Sequence, residues 1–370
     1  TGVGSLIKDT NTSVLTLSGA NDYTGTTTVN TGTLTYGADS GVSGASAVTV
    51  DSGATLNVNS KAATRTATTT INGTLALGTS GSVTFAANSG SHTIANITGS
   101  GTITINSGAT VTLSGPISNT GVNFTLAGGT LKITGNNTTS TSLGTLTVSS
   151  ASTLDMDSST SNFANVTFAD TSISAALTVS NWTSGSDHLY ATKMGGSTTS
   201  PAKNTLNVTP LNYITLGSNS PSQTYWASST ELLVGSTAGY TYWDGPVANT
   251  TSIEGGKGNW TSSNTNWTTS AGTPNSTWSG GTATANFTVT GDTVTVSGTQ
   301  SIGGLNFEVT GYSLTNGTSP SLSLAQDSTI NVTTGTATVA PPLTGSFGIT
   351  KSGTGVAILN GANTYTGTTT

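Results

Sequence analysis

No cysteine occurs among the 370 residues, which excludes disulfide staples, thiol catalysis and cysteine-ligated zinc. Charge is almost as scarce: Asp, Glu, Lys and Arg make up 6% of the chain, where about 25% is usual for a globular domain. With 8 basic residues against 14 acidic ones there is no basic patch, so no nucleic-acid partner is expected. No run of about 18 apolar residues reads as a membrane-spanning helix, and no charged and apolar leader opens the sequence. Helical periodicity is absent throughout.

What fills the chain instead is Thr, Ser and 48 Gly, arranged in repeats on two scales. LSGANDYTGTTT, from Leu17, returns as LNGANTYTGTTT, from Leu359, at an offset of 342 residues. The ungapped match extends backward, setting Ile7 opposite Ile349, Thr12 opposite Thr354 and Val14 opposite Val356. Self-similarity at a fixed period marks repeat architecture, and the chain reads as a window on a longer tandem array.

The shorter scale is finer. SAVTVDSGATLNV (from Ser46), GTITINSGATVTL (from Gly101) and GTLTVSSASTLDM (from Gly144) each alternate apolar and polar residues on both sides of a Gly or Ser turn. STINVTTGTATVA, from Ser328, is a looser version. Such alternation over short runs predicts half-buried strands. The spacing predicts one coil per roughly 20 to 28 residues, the range of a β-solenoid. Coils stacked about 4.8 Å apart would line the interior with Val, Leu and Ile, each contributing about 1.5–3 kcal/mol when fully buried. Thr suits the outward positions because it is soluble and β-compatible. About 15 coils per repeat would measure on the order of 70 Å along the stack. The Thr-x-Thr words do not recur at one fixed spacing, which argues against a flat threonine ladder and so against an ice-binding solenoid.

GANDYTGTTTVNTGTL and KSGTGVAILNGANTYTGTTT resemble the signature of the autotransporter-associated β-strand repeat, or passenger-associated transport repeat, of bacterial surface proteins. Tyr242-Trp243-Asp244-Gly245, Gly258-Asn259-Trp260, Asn266-Trp267-Thr268 and GGLNF at Gly303 follow the order in which the family leads into that signature. The likeness covers residues 237–370 and 1 to about 60, fades through 61–160, and is looser over 161–236. It implies an all-β, right-handed parallel β-helix exported to the cell surface, with structural or adhesive roles and no catalytic residues. The expected organisation is regular coils over 1–160, a less regular closing segment over 161–236, and the start of the next unit over 237–370.

Asp155 and Asp157 form the closest carboxylate pair. Leu154 and Met156 point inward by alternation, so both aspartates are expected on one outward face, where such a pair can hold calcium. A solvated surface pair is the stronger reading, since the nearest basic residue in sequence is Lys132. Asp187-His188 beside a serine evokes a hydrolase triad, but adjacent strand residues face opposite ways and no GxSxG elbow is present. His92 is the other histidine. GGKGNW at Gly255 fits neither a calcium-binding nonapeptide nor a P-loop.

Five of six tryptophans fall between Trp226 and Trp278. Trp243, Trp260 and Trp267 match family positions and are expected to pack as a cap or joint between solenoid blocks, leaving Trp226 and Trp278 as candidates for glycan stacking. Asn21 and Asn363, beside Tyr23 and Tyr365, are expected to ladder between coils through their amides. The sequence thus predicts a non-enzymatic, cofactor-free section of an extracellular, cell-surface or secreted bacterial fibre. Its expected partners are neighbouring copies of the repeat joined end to end, and extracellular glycans or other cells, with no membrane insertion in this segment. The rival readings are an adhesin passenger and, further off, a polysaccharide-cleaving β-helix enzyme.

Overall fold

A computed structural model describes residues 2–9, 12–115, 117–134, 141–157, 163–183, 186–206, 208–234, 239–245 and 251–370. The chain forms two compact units, residues 1–201 with 209–234, and residues 202–208 with 235–370. The expected boundaries at 160/161 and 236/237 fall outside the described residues. Both units are all-β, built of stacked parallel strands that make a β-solenoid of about 16 turns in all. Among the described residues helix is confined to two single 3₁₀ turns, Leu211–Tyr213 and Pro221–Gln223.

In the first unit, the opening coils place both of their strands in one large parallel sheet, and from Ala62–Arg65 onward a second large parallel sheet takes one of them. Along the first sheet the inward residues line up in register as Val29, Val50, Ile71, Ile94, Leu113 and Ile133. Along the second the column is Arg65, Phe85, Ile105, Leu126, Val148 and Ile173. These side chains are almost wholly buried. Each strand alternates, so the core of every coil is continuous with the next, and no coil has to bury its apolar face alone.

The outward positions correct the expectation about threonine. Thr64, Thr84, Thr104, Thr125 and Thr147 stand in one register column, closed by Ser172. Thr28, Thr49, Thr70, Thr93 and Thr112 form a second column on the other sheet. Uneven coil lengths do not disturb these ladders because the extra residues are taken up in turns and in register shifts within strands, such as those at Ile94/Asn96 and Leu126/Ala127.

The second unit repeats the plan. Phe287, Phe307 and Val332 make one inward column, and Val294 and Leu314 belong to another. Here the stack opens on antiparallel pairing: Tyr242–Trp243 with Trp267–Thr268, and Trp267–Thr268 with Asn275–Ser276. In the first unit an antiparallel hairpin, Thr224–Trp226 with Leu232–Val234, follows the last parallel strand. Antiparallel partners interrupt the parallel ladder and cover a sheet edge that would otherwise invite further strands.

The two signature copies fold alike, with one correction to their alignment. Leu6 pairs with Thr27, and Ile349 pairs with Thr369. Lys8 and Lys351 occupy the same inward column position, next to Val29 and Ile330 respectively. The structural match is therefore Leu6 on Ile349 and Lys8 on Lys351, one residue out of step with the ungapped alignment. The copies fall back into step at Val14 and Val356, because the sequence from Lys8 to Val14 is one residue longer than that from Lys351 to Val356.

Candidate functional site

The carboxylate pair resolves into a turn. Asp155 ends the strand Ser152–Asp155 and faces outward beside Lys132 in register. Asp157 lies beyond the strand with φ 46°, so the two aspartates do not share a strand face as alternation predicted. Asp155 Oδ1 accepts the Asp157 backbone N–H at 2.9 Å and the Asn181 Nδ2 amide at 2.8 Å. Lys132 Nζ pairs with Asp157 Oδ1 at 2.6 Å, and this contact raises the lysine pKa. The Oδ1 atoms of both carboxylates hold the turn together. Among the described residues no group of three or more His, Cys, Asp or Glu is placed to hold a metal ion.

Asp187 and His188 diverge as alternation requires. Asp187 is buried and its carboxylate accepts the backbone N–H groups of Ala164 at 2.7 Å and Thr183 at 2.5 Å, so it staples a turn. His188 faces the other way, and its Nδ1 lies 2.6 Å from Glu231 Oε1, with Tyr190 stacked on the ring at 6.0 Å. Ser186 and His188 line a hollow of about 210 Å³ together with Phe163, Ala164 and Asn165. A larger hollow of about 360 Å³, bordered by Thr171, Met194, Ser197, Pro201 and Pro210, offers hydroxyl and apolar groups but no titratable side chain.

A second enclosed charge in the first unit belongs to Arg65, which strand alternation turns inward after Ala63. It is 1% exposed. Its guanidinium donates to the carbonyl oxygens of Ser43 (2.8 Å) and Ser46 and to Thr69 Oγ1 (3.2 Å). His92 is buried beside it. The ring accepts the Thr69 backbone N–H at Nδ1 (3.2 Å), meets Ser89 Oγ at Nε2 (2.9 Å), and packs on Phe85 at 4.3 Å. Burial, and then the positive charge of Arg65, pushes the His92 pKa down to about 4. Burial pushes the Tyr36 phenol up to about 12. This cluster is neutral apart from Arg65, and Arg65 and His92 are bonded to backbone, which makes it core architecture. The signal for it was legible in AATR, where Arg takes the phase of a core residue.

The tryptophans are likewise interior. Trp267 is central, with ring centroids 5.3 Å from Trp243, 4.7 Å from Trp260, 4.4 Å from Trp278 and 5.8 Å from Phe287. Trp243 donates to the Gly256 carbonyl at 2.7 Å, and a Cβ at Gly258 would press within 2.8 Å of the Trp243 ring. Trp260 and Trp267 keep buried indole N–H groups with no acceptor. The two glycan candidates are enclosed as well. Trp226 is 0% exposed and donates to the Ala191 carbonyl at 2.9 Å; Trp278 is 9% exposed and donates to the Ser301 carbonyl at 2.8 Å. Neither presents an open ring face on which a sugar could stack, so the glycan-contact expectation is corrected at both positions.

Asp244, next to Trp243, is fully buried. Its Oδ1 accepts the Glu254 backbone N–H at 2.9 Å and its Oδ2 the Asn275 amide at 2.7 Å. Burial outweighs these bonds and raises its pKa to about 6. Asn275 Oδ1 has no donor, and a protonated Asp244 would supply one once the Asn275 amide turned over.

The signature asparagines join coils through backbone groups and not through one another. Asn21 Nδ2 donates to the Gly19 and Gly41 carbonyls at 2.9 and 2.6 Å, and Asn363 Oδ1 accepts the Leu343 N–H at 2.9 Å. Tyr23 and Tyr365 each meet a threonine hydroxyl four residues on, Thr27 and Thr369, at 2.7 Å. A true amide ladder lies elsewhere. Asn306 donates to Asn286 Oδ1 (2.9 Å), Asn331 donates to Asn306 Oδ1 (2.7 Å), and the Ser352 hydroxyl donates to Asn331 Oδ1 (3.1 Å). The recurring words ANF, LNF and INV were its sequence trace.

Stacked parallel coils, laddered side chains and an interior closed to solvent define a β-solenoid repeat protein. The chain carries two matches to the passenger-associated-transport-repeat, at residues 9–35 and again at 349–370. It is also 31% identical over 153 residues to the adhesin BmaC autotransporter of Brucella suis biovar 1 (strain 1330), a match covering 40% of this chain and 4% of that protein. No solved structure matches the chain.

Proposed function

We propose that the chain is a non-enzymatic structural section of a bacterial surface or secreted passenger, in which stacked coils supply length and rigidity. The observation that carries this reading is the continuity of the ladders: inward aliphatic columns and outward threonine columns run from coil to coil, and the titratable groups inside are tied to backbone. A stack of this kind has few flexible charged loops for proteases to enter. Electron microscopy of material sheared from the native surface, labelled with an antibody to this chain, tests the proposal. Labelled thin filaments with an axial repeat on the order of 70 Å are the expected result, and labelled compact particles would overturn it.

A second reading, adhesion to glycans or other cells, is favoured by one observation, the similarity to a protein named as an adhesin. Because Trp226 and Trp278 are enclosed, this reading would have to use the hydroxyl-rich outward columns. Binding on a glycan array that survives Trp278→Ala and is lost on replacing Thr104 and Thr125 with Val would establish it.

A further inference from the structure

The coil of residues 2–28 and the coil of residues 345–370 are one structural element present twice. Thr24 N–H donates to the Gly2 carbonyl at 2.9 Å, as Thr366 N–H does to the Gly345 carbonyl at 3.0 Å. Leu6 N–H donates to the Thr26 carbonyl at 2.8 Å, as Ile349 N–H does to the Thr368 carbonyl at 2.8 Å. A Cβ on Gly25 would collide with the Gly4 backbone, and one on Gly367 with the Phe347 and Gly348 backbone. An inward lysine reaches turn carbonyls in both: Lys8 Nζ bonds the Thr31 oxygen at 3.1 Å, and Lys351 Nζ bonds those of Ser352 (2.6 Å) and Gly353 (3.0 Å).

The later coil shows what the upstream edge of this element accepts. Ile349–Ser352 lies on the strand Ser321–Val332, with Thr329 beside Thr350 and Ile330 beside Lys351. Val356–Leu359 lies on Thr336–Val339, with Thr336 beside Val356 and Val339 beside Leu359. In the earlier coil the corresponding strands, Leu6–Lys8 and Val14–Leu17, pair on their downstream side with Thr27–Val29 and Thr33–Tyr36.

We infer that the upstream edge of Leu6–Lys8 and Val14–Leu17 is a joining surface for a second copy of this chain, whose strands Ser321–Val332 and Thr336–Val339 dock there in parallel. The register follows from the structural match: Thr329 of the leading copy beside Ile7 of the trailing one, Ile330 beside Lys8, Thr336 beside Val14 and Val339 beside Leu17. The trailing copy's first coil then takes the place that residues 345–370 hold in the leading copy, so two copies share one coil and repeat every 342 residues. This inference rests on the stacked-section reading above and adds the partner and the register. The register is distinctive, because the ungapped sequence alignment would set Thr329 beside Lys8 instead.

The absence of native cysteine makes the test clean. A chain of residues 1–342 followed directly by residues 1–370 would carry Thr329→Cys in the leading copy and either Ile7→Cys or Lys8→Cys in the trailing copy. Neighbouring strands hold Cα atoms within the span a disulfide bridges, and Thr329→Cys with Thr350→Cys in the single chain calibrates the yield. Near-complete crosslinking is expected for the Ile7 pair, and background for the inward-facing Lys8 pair. Crosslinking of the Lys8 pair instead, or of neither while both copies keep strand circular dichroism and protease resistance, overturns the joint and leaves the stacked-section reading standing. Loss of strand signal and protease resistance in the unmodified two-copy chain overturns that reading, and the joint with it.

Discussion

The interior of the first unit is filled by the same few aliphatic side chains coil after coil, whereas the opening turns of the second are filled once, by Trp243, Trp260, Trp267, Trp278 and Phe287. A column such as Val50, Ile71, Ile94 and Leu113 meets each new coil with a similar surface, so the loss of one member is cushioned by the neighbours. The aromatic cluster has no second copy of itself to lean on. Its members meet at varied angles, from 38° to 77° between ring planes. The two regions also shift their buried titratable groups in opposite senses: burial next to a cation lowers the His92 pKa to about 4, and burial raises that of Asp244 to about 6.

The sharpest way to break this contrast is truncation at the centre of each core. Trp267→Ala removes a ring in contact with four others and is expected to cost about 3–5 kcal/mol, enough to open the first turns of the second unit selectively. Ile71→Val in the aliphatic column should cost about 0.5–1.5 kcal/mol. Hydrogen exchange resolved along the chain would register both, and equal, chain-wide loss of protection in the two variants would contradict the contrast.

Acid should act on the two units in opposite directions. The folded His92 binds its proton only near pH 4, so the unfolded chain takes it up first. The stability His92 permits is full above about pH 6.5 and declines as pH falls to about 4, by on the order of 3 kcal/mol. Asp244 runs the other way: the folded carboxyl keeps its proton up to about pH 6. Its contribution is therefore full below about pH 4 and is lost as pH rises through 6, again by on the order of 3 kcal/mol. Between pH 7 and pH 4.5 the first unit should loosen and the neighbourhood of Asp244 tighten, and His92→Leu and Asp244→Asn should each flatten one response. Exchange rates corrected for intrinsic pH dependence, moving in the same direction in both units, would refute the assignment.

Smaller effects come from the surface ladders. Asn306→Ala breaks the amide chain at its middle and should cost about 1 kcal/mol, whereas Thr104→Val, in a column without amide bonds, should change stability by less. Denaturant midpoints measure both. Asp157→Asn removes the ion pair to Lys132, which lies at the surface, and is expected to cost about 0.2–1 kcal/mol, diminishing with added salt. A loss of several kcal/mol there would mean that the turn at Asp155 does more than close a coil.

Much of this architecture was legible in the strand words, because the alternation around Val48, Ile103 and Leu146 fixes which side chains face inward. What alternation does not encode is lateral pairing. Thr64 and Thr84 share a column with Thr147 although nothing in their spacing announces it, since the turn lengths between them vary freely. The one-residue step between Ile7 and Ile349 is invisible for the same reason: identical letters outvoted the phase of the two lysines. Burial of Trp226 and Trp278 was missed because a tryptophan in irregular sequence carries no period, and only the tertiary path of the hairpin and of the Trp267 cluster encloses them. Arg65 and Asn306 stood in readable phase, but a polar residue in a core or ladder position is counted as noise until its partners are known.

The extra residue between Lys8 and Val14 has a consequence for descent. An inserted residue there leaves every strand downstream on its old partners, so the reading of the lattice is reset at each turn and errors do not propagate. Copies related in this way can diverge in letters and in length, and can recombine out of phase by whole coils, while their offspring still stack. Selection on such a chain acts on columns, and a family of these repeats would be expected to lose recognisable similarity long before it loses its shape.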